Sequence, residues 1–554
     1  MRLISRAAPR SRLWDRAPLR LATVMLAVLG ASAPVKAQYQ PDISGGAALP
    51  VPGGPPGSGI TADGAGVGRI GWWSEASITA QATLTNNANY GSTADREADL
   101  ILQLIPEWNF HRTGARLRVD GFVSLDMLQY VNQVQTSRIL PQANVLANLE
   151  AIENLFFIDA SIQANQSILN PFQPRSDFSS TNNLYTYGQA RLAPYFQGYL
   201  GRNVTWLVRS DNSYTWTGQS DTPLGNAYYG QQLAQIVRAP TPVGLTLRAT
   251  SDVTRIQDQL QPDQTLNTAL AILDYAFTPQ LTLGLRGGYE NTTYTATETS
   301  GPIYGGNISW RPTPLSSLVG YWEERFYGPS YQFQASHRQR RFASSASFYR
   351  TITTYPQVLL QIPPTGSVAG VLDAILVARF PDPIVRQQEV LDLINRQALP
   401  QTLPAGAYIY NQSANVLTGA NGNFGLVGVR NTLALNIFYL KTELLPDPRV
   451  PPSFVAFNNN EQFGAGITLS HQLTPIVNLN GTVSGYRTKG FGPSEGLETR
   501  QWLASAQVNW QVSLRDTLFV GTRYQYQNDI GARSTFGNSS EAAIFAGLLH
   551  TFGR

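Results

Sequence analysis

The sequence predicts an all-β protein: a transmembrane, antiparallel, up-and-down β-barrel of about 22 strands, with 20 as the nearest alternative. Three observations favour this fold. An export signal begins the chain, many segments alternate between apolar and polar side chains, and short turns alternate with longer polar connections. Only 14% of the 554 residues are charged, and no apolar run long enough for a membrane helix follows residue 33.

The first 37 residues have the organisation of a cleavable secretory signal peptide. Six arginines precede an apolar stretch from Leu21 to Ala33, and small residues at positions 35 and 37 form a cleavage site before Gln38. The apolar stretch is too short to span a bilayer, with an uncleaved anchor as the alternative. The segment carries seven basic residues and one acidic residue, so its removal changes the net charge from +4 to −2 and nucleic acid is not an expected partner.

Residues 38–69 are rich in glycine and proline and are predicted to be a flexible leader. The barrel is predicted to cover residues 70–552. The chain contains no cysteine, which excludes disulfides, thiolate chemistry and a lipid-anchored N-terminal cysteine. No cofactor or metal is expected.

Alternation is clear in residues 115–127, where the odd positions are apolar and most even positions are polar. Because successive side chains of a strand point to opposite faces, one face meets lipid and the other lines a wet lumen. The predicted lumenal charges either form a polar pathway of mixed charge or pair with one another and hold the wall together. These candidates are Arg116, Arg118, Asp120, Asp126, Asp159, Arg209, Asp211, Arg248 and Asp252.

Connection lengths favour a membrane barrel over a soluble sandwich. Short turns, as at residues 278–280, alternate with mostly longer polar segments, as at residues 217–226 and 444–460. An even strand number puts both mature termini in the periplasm. The last strand ends on Phe552 and resembles the tail that the barrel-assembly machinery recognises, although Gly553 and Arg554 follow it.

Residues 355–405 break the alternation and are predicted to be a helical loop or plug insert. Val368, Leu372, Ile375 and Leu376 have helical spacing, and Asp382 followed by Pro383 is typical of a second helix start. The insert is predicted at the outer side of the membrane. It either folds into the lumen as a constriction or forms a surface loop; the sequence leaves both open.

Nine tryptophans fall mostly near predicted strand ends, which is typical of the aromatic girdles at a membrane interface. Sugar-stacking platforms are the alternative, but they would need aromatic side chains on the polar face. Tyr185 and Tyr187 share such a face with Gln189 and Arg191 and are the candidates. The tryptophans are Trp72, Trp73, Trp108, Trp206, Trp216, Trp310, Trp322, Trp502 and Trp510.

Four short motifs between residues 310 and 350 carry a family resemblance. They are WRPTP from Trp310, ERFYGPSY from Glu324, SHRQRR from Ser336 and SASFY from Ser345. The chain resembles the PEP-CTERM-system-associated outer-membrane β-barrel proteins, a family often encoded beside exopolysaccharide genes. The resemblance spans most of residues 72–552 and implies a barrel linked to polysaccharide assembly or export. The motif residues of interest are Trp310, Arg325, Tyr327, Gly328, His337, Arg338, Arg340 and Arg341.

Read without the resemblance, the arginines of these motifs have two interpretations. Arg325, Arg338, Arg340 and Arg341 put positive charge near the barrel ends, where it could select anionic sugars or lipid head groups. Alternatively they reach the membrane interface or pair with the neighbouring Glu323 and Glu324.

An enzyme is not expected, because only four histidines are present and the adjacent Ser470 and His471 would point to opposite faces of a strand. The leading hypothesis is a Gram-negative outer-membrane channel or conduit for exopolysaccharide assembly or export. The alternatives are a general diffusion porin and a non-conducting structural barrel. Expected partners are outer-membrane lipid, lipopolysaccharide, the barrel-assembly machinery, and a polysaccharide with its export proteins.

Overall fold

The computed structural model describes residues 71–92, 94–173, 183–218, 225–257, 263–294, 298–361, 372, 376, 406–411, 413–445, 457–533 and 537–552. The predicted signal peptide (1–37) and leader (38–69) lie outside the described residues. The described chain is almost entirely β-strand, as the alternation predicts.

The protein is a closed antiparallel barrel of 22 strands, which confirms the predicted fold and the higher of the two strand counts. Each strand pairs with its neighbours in sequence, and Ser77–Thr85 of the first strand pairs with Ala543–Thr551 of the last. Closure gives every strand two partners, so no edge exposes unpaired backbone groups to lipid. The strands are β1 Gly71–Thr85, β2 Asp99–Thr113, β3 Leu117–Tyr130, β4 Arg138–Ile152, β5 Phe156–Ile168, β6 Leu184–Leu200, β7 Val204–Thr217, β8 Ala227–Arg238, β9 Val243–Ile256, β10 Gln264–Thr278, β11 Leu281–Thr292, β12 Thr299–Thr313, β13 Ser316–Arg325, β14 Gly328–Arg338, β15 Phe342–Thr353, β16 Asn415–Val427, β17 Asn431–Leu444, β18 Asn460–Thr474, β19 Val477–Gly490, β20 Glu498–Gln511, β21 Asp516–Asp529 and β22 Ser539–Thr551.

The two ends of the barrel differ in the length of their connections. At one end, which we call the short-turn end, strands are joined by two to four residues, and β1 begins and β22 ends there. At the other, the long-loop end, the connections are longer, except for the two-residue turn between β13 and β14. This asymmetry is typical of membrane barrels, whose periplasmic turns are short.

The outer surface is apolar, because alternate side chains of each strand are exposed there and are mostly Leu, Ile, Val, Phe, Tyr and Trp. Eight of the nine tryptophans considered above lie on this face. They form two belts, one toward each end of the barrel, as an interfacial girdle requires. The exception is Trp73, which faces inward with its ring centroid 6.3 Å from that of His111. The short-turn belt contains Trp72, Trp108, Trp206, Trp310 and Trp510, and the long-loop belt contains Trp216, Trp322 and Trp502.

Helix is scarce in the described residues. Tyr355–Gln361 forms a helix, α1, which begins earlier than the predicted helical stretches, and Gly492–Ser494 forms a single 3₁₀ turn. Leu372 and Leu376 are helical and buried, while the other residues of the two predicted helices lie outside the described residues. Nowhere in the described chain is a helix both long and apolar enough to cross a membrane.

Candidate functional site in the lumen

The connection after β15 folds into the lumen and crosses it. We call its described residues 354–361 and 406–411 the lumenal strap. The backbone of Ala407 exchanges two hydrogen bonds, of 2.9 and 2.8 Å, with the side-chain amide of Gln462 on β18. Ser167 on β5 donates to the carbonyl oxygen of Tyr408 at 3.2 Å. Since β5 and β18 are nine strands apart by the shorter way round the barrel, the strap spans the lumen.

The helical part of the strap is bonded to the wall formed by β5 to β9. Gln189 donates to the carbonyl oxygen of Pro356 at 3.1 Å, and Gln163 donates to that of Leu359 at 2.9 Å. The hydroxyls of Thr354 and Thr254 are 2.9 Å apart. The side-chain amides of Gln189 and Gln163 therefore hold the backbone of α1 against this wall.

Tyrosines form the core between strap and wall. The Tyr355 hydroxyl is hydrogen bonded to that of Tyr185 on β6, and the Tyr408 hydroxyl lies 2.8 Å from that of Tyr349 on β15. Burial raises the pKa of Tyr355 and of Tyr408 well above the usual value, so both hydroxyls stay neutral and able to donate. The structure therefore uses Tyr185, a candidate sugar platform, to hold the strap.

Gly419 makes room for the contact between Tyr349 and Tyr408. The Tyr349 ring lies across Gly419 on the neighbouring strand β16, and a Cβ atom at position 419 would overlap the ring. Val358 of α1 and Leu417 pack against the same ring. The tyrosine is thereby laid flat against the wall with its hydroxyl directed to the strap.

A second segment narrows the same end of the barrel. Residues 169–173, which follow β5, extend to the far wall, where Gln527 on β21 donates to the carbonyl oxygen of Phe172 at 3.2 Å. Gln501 on β20 donates to the carbonyl oxygen of Gln173 at 3.0 Å. The lumen is thus bridged twice toward the long-loop end.

Most of the predicted lumenal charges are paired with one another. Arg209 bonds to Asp159 at 2.8 Å and to Asp211 at 2.7 Å, and Arg191 bonds to Asp211 at 2.7 Å. The four side chains come from β5, β6 and β7 and tie these strands together on the lumenal face. Charges buried in a membrane protein need partners, and here the charges themselves supply them.

Apart from Arg116, the remaining lumenal candidates have individual partners. Asp120 on β3 accepts hydrogen bonds from Arg118, at 2.9 Å, and from His111. Asp252 accepts from Tyr229 at 2.8 Å and from Gln231 at 2.7 Å. The others are Asp126, 3.3 Å from Gln103, Arg248, 2.8 Å from Gln235, and Arg116, which is exposed in a turn at the short-turn end.

The resemblance motif forms a clasp at the long-loop end. Arg325 donates to buried Glu290 at 2.9 Å, and the next backbone N–H, of Phe326, donates to the other oxygen of the same carboxylate at 2.9 Å. The Tyr327 ring centroid lies 5.9 Å from the Arg325 guanidinium. Gly328 takes a φ of +90°, which an L side chain rarely adopts, so the two-residue turn depends on glycine here.

The other motif residues lie far from this clasp. His337 on β14 is 2.8 Å from the Ser316 hydroxyl, and Arg338, Arg340 and Arg341 follow it at the short-turn end. Trp310 faces outward in the tryptophan belt of that end. The motif arginines are therefore divided between the two ends of the barrel, and Arg325 pairs with Glu290 and not with Glu323 or Glu324.

One lumenal surface is not predicted by the pattern of charged residues. We call the lumenal face of β15–β20 the amide wall: these six strands are described in full and place no acidic or basic side chain on that face. A period-two run of Asn, Gln, Ser and Thr would have indicated it. Its buried polar residues are Ser347, Thr353, Asn415, Thr432, Asn436, Thr442, Asn460, Gln462, Thr468, Ser470, Asn478, Asn480, Ser484, Thr488, Thr499, Gln501 and Asn509.

Catalytic geometry is not evident in the described residues. Ser470 is buried on the lumenal face, whereas His471 lies on the outer face and contacts Asn431 at 2.6 Å. In the described part of the chain, no three side chains of His, Asp or Glu are grouped so that they could hold a metal ion.

Comparisons with known proteins give structural likeness only. No family model matches the sequence, and no curated protein matches it. The siderophore receptor PirA from Acinetobacter baumannii superposes with a TM-score of 0.45 at 9% identity, covering 87% of this chain and 81% of that one. A mutant of the ferric enterobactin receptor PfeA from Pseudomonas aeruginosa gives the same four values. The FrpB iron transporter from Neisseria meningitidis gives 0.44 at 10% identity, covering 86% and 82%.

Proposed function

We propose that this chain is a Gram-negative outer-membrane barrel that conducts a hydrophilic solute through a lumen gated by the lumenal strap. An apolar outer face with two tryptophan belts supports a membrane location, and a polar inner face supports a wet pathway. The short turns, and with them both ends of the barrel chain, would lie in the periplasm, and the long loops would lie outside. Outer-membrane lipid and the barrel-assembly machinery would be its partners.

The single observation that carries gating is the crossing of the lumen by residues 407 and 408, which bond to β18 on one side and β5 on the other. A diffusion porin needs a continuous water-filled channel, so this crossing favours a gate or a plug over an open pore. A permanently plugged structural barrel is the second candidate, because the same crossing supports it.

Exopolysaccharide is the proposed cargo. The amide wall supports it, because amide and hydroxyl groups can exchange hydrogen bonds with sugar hydroxyls without a fixed charge to hold the chain. The resemblance of residues 310–350 to an exopolysaccharide-linked family points in the same direction. A neutral, weakly binding wall suits a polymer that must bind and then move on.

Planar-bilayer recording of the purified protein tests the gate. In the first variant, residues 355–413 are replaced by a two-residue Asn–Gly turn that joins Thr354 to Ala414, since Thr353 and Asn415 are already paired across the hairpin. We expect long, large openings from this variant and brief or small ones from the wild type, because a barrel of 22 strands encloses a wide lumen and the variant lacks the strap, one of the two segments that cross it.

Point variants sharpen the same experiment. Gln462→Leu removes both bonds to Ala407 and should increase the fraction of time spent open. Gln472→Leu, on the same face of β18 but near the short-turn end, is the matched control and should behave as the wild type. A wild type that conducts as freely as the strap deletion would contradict gating. A folded deletion variant without current would favour the structural barrel.

Deletion of the gene in its native host tests the cargo separately. Loss of secreted polysaccharide with normal uptake of small solutes would support export. Normal polysaccharide with slowed solute entry would contradict it and favour a nutrient channel.

A further inference from the structure

Two arginines stand side by side on the lipid-facing surface. Arg487 on β19 and Arg500 on β20 are direct cross-strand partners near the long-loop end. Their side chains are 46% and 52% exposed and lie on the outer faces of their strands. Like charges directly opposite each other destabilise a sheet, so this pairing requires a compensating negative group.

Glu498 compensates only part of this charge. Its Oε1 atom lies 2.7 Å from Nε of Arg487 and 3.7 Å from the nearest guanidinium nitrogen of Arg500. A guanidinium presents five N–H donors, so one shared carboxylate oxygen can accept from only a few of the donors of the pair. The geometry suits a tetrahedral oxyanion, which can accept from both guanidinium groups at once.

The surface below the pair is apolar. Phe463 on β18 is the cross-strand partner of Arg487, and Trp502 follows Arg500 on the same face. These side chains are 56% and 57% exposed, and Val483 beside them is 55% exposed. A strand rises about 3.3 Å per residue, so the backbone of the arginine pair lies roughly 7 Å along the strand from that of Trp502, toward the long-loop end. Tryptophan belts mark the boundary between acyl chains and head groups, so the pair lies on the head-group side of the long-loop belt.

Further charged side chains surround the arginine pair at the long-loop end. Lys441 on β17 bonds to Glu443 at 2.9 Å, and its ammonium lies 4.8 Å from the centre of the Phe491 ring. Lys489 on β19 is aligned with Glu461 and Glu498. With Arg487 and Arg500 included, these seven side chains carry four positive and three negative charges, which leaves an excess of one. Mixed charge with a small positive excess can hold phosphate groups without repelling their neighbours.

We propose that the outer surface of β18–β20 binds a phosphorylated glycolipid of the outer leaflet, with its phosphate on Arg487 and Arg500 and its acyl chains against Phe463, Val483 and Trp502. The assignment rests on the outer-membrane location proposed above, with the long loops outside. That orientation is what identifies the lipid as lipid A and not as an inner-leaflet phospholipid.

Lipid that remains bound through purification tests the proposal. The protein is extracted from outer membranes in mild detergent, washed, and its bound lipid A and phospholipid are measured by mass spectrometry per mole of protein. The wild type should retain lipid A, and R487Q/R500Q should retain about tenfold less, because two charge-assisted contacts are lost. R255Q is the matched control, since Arg255 is an exposed arginine at the same end that pairs with Asp263 outside this surface.

Two further variants separate binding from folding. E498Q removes the internal competitor for the guanidinium groups and should retain at least as much lipid A as the wild type, whereas a merely structural triad would lose stability. R487K/R500K keeps the charge but loses the planar fork, so it should retain an intermediate amount. Heat-modifiable migration on gels confirms that each variant is folded.

Three outcomes would overturn the proposal: R487Q/R500Q with unchanged lipid A, R255Q with an equal loss, or phospholipid as the lipid retained by the arginine pair. None of these depends on the channel, because conductance is not measured. A barrel that retains lipid A but carries no current would refute gated conduction alone.

Discussion

The two sides of the lumen are both polar, but one uses charged side chains and the other uses uncharged ones. On the ionic wall, which is the lumenal face of β2–β13, charged side chains pair within a strand or with a nearby strand, as Arg209 on β7 does with Asp211 on β7 and Asp159 on β5. The amide wall of β15–β20 uses only uncharged polar groups, as in the contact of Thr468 with Thr482 at 3.2 Å. Both present a polar face inside an apolar shell.

This difference indicates which side of the lumen is rigid and which side can contact a passing solute. A buried ion pair stabilises little in total, but breaking it leaves a charge without a partner, so the ionic wall is intolerant of single changes. Neutral hydrogen bonds contribute less individually and cost less to lose. We infer that the ionic wall fixes the shape of the barrel, while the amide wall can exchange its partners with a passing solute.

The strap is bonded to both walls. Gln189 and Tyr185 hold it on the ionic side, and Gln462 and Tyr349 hold it on the amide side. The described strap makes fewer hydrogen bonds to the amide wall than to the ionic wall, so movement away from the amide wall would break fewer of them. The side of the lumen that is predicted to open is therefore the side proposed to contact the cargo.

Breaking the ionic wall should have the largest effect on stability. Glu290→Ala removes a carboxylate that is 1% exposed and leaves Arg325 and the Phe326 N–H without their partner. We expect a loss of about 3–5 kcal/mol in the free energy of unfolding, measured by urea titration in detergent with tryptophan fluorescence.

The double variant Glu290→Met/Arg325→Met is the control for that experiment. It removes both charges and should recover most of the lost stability, because the cost lies in the unpaired charge. A single variant as stable as the wild type would show that the clasp does not hold the turn between β13 and β14.

Disturbing the contact between Tyr349 and the strap should have the next largest effect. Gly419→Ala places a Cβ atom against the Tyr349 ring and should displace the tyrosine from Tyr408. Overpacking of this kind costs about 1–3 kcal/mol, and the channel should open more often in bilayer recordings. Gly422→Ala is the matched control on the same strand, because a Cβ at position 422 meets no atom within 4 Å. Equal behaviour of the two variants would separate Tyr349 from gating.

Much of this architecture follows from sequence periodicity. Period-two amphipathy predicts each strand and its faces, and alternating short and long connections predict the strand count and the two ends. The predicted lumenal charges from Arg118 to Asp252 lie inside the barrel for the same reason. The strands, their faces and their connections depend on residues close together in the sequence, so each can be predicted from its own segment of the chain.

Contacts between distant segments could not be predicted in this way. Arg325 pairs with Glu290, 35 residues earlier, and not with its neighbours Glu323 and Glu324, because barrel curvature brings lumenal side chains of β11 and β13 together. The inward path of the strap depends on Gln462 and Ser167, which no periodicity connects. The pattern of charged residues does not predict the amide wall either, because the polar side chains of that wall are uncharged.

A single change within the amide wall should have the smallest effect. Thr468→Val keeps the shape of the side chain and removes one hydroxyl, which leaves Thr482 on β19 without that partner. Because lumenal water or the neighbouring amides can replace a neutral hydrogen bond, we expect a loss of about 1 kcal/mol in the same urea titration. Thr246→Val, a buried threonine on the ionic wall, is the matched comparison. A loss at Thr468 approaching that of Glu290→Ala would mean that the amide wall is also a rigid network, and a moving cargo would then find no exchangeable partners there.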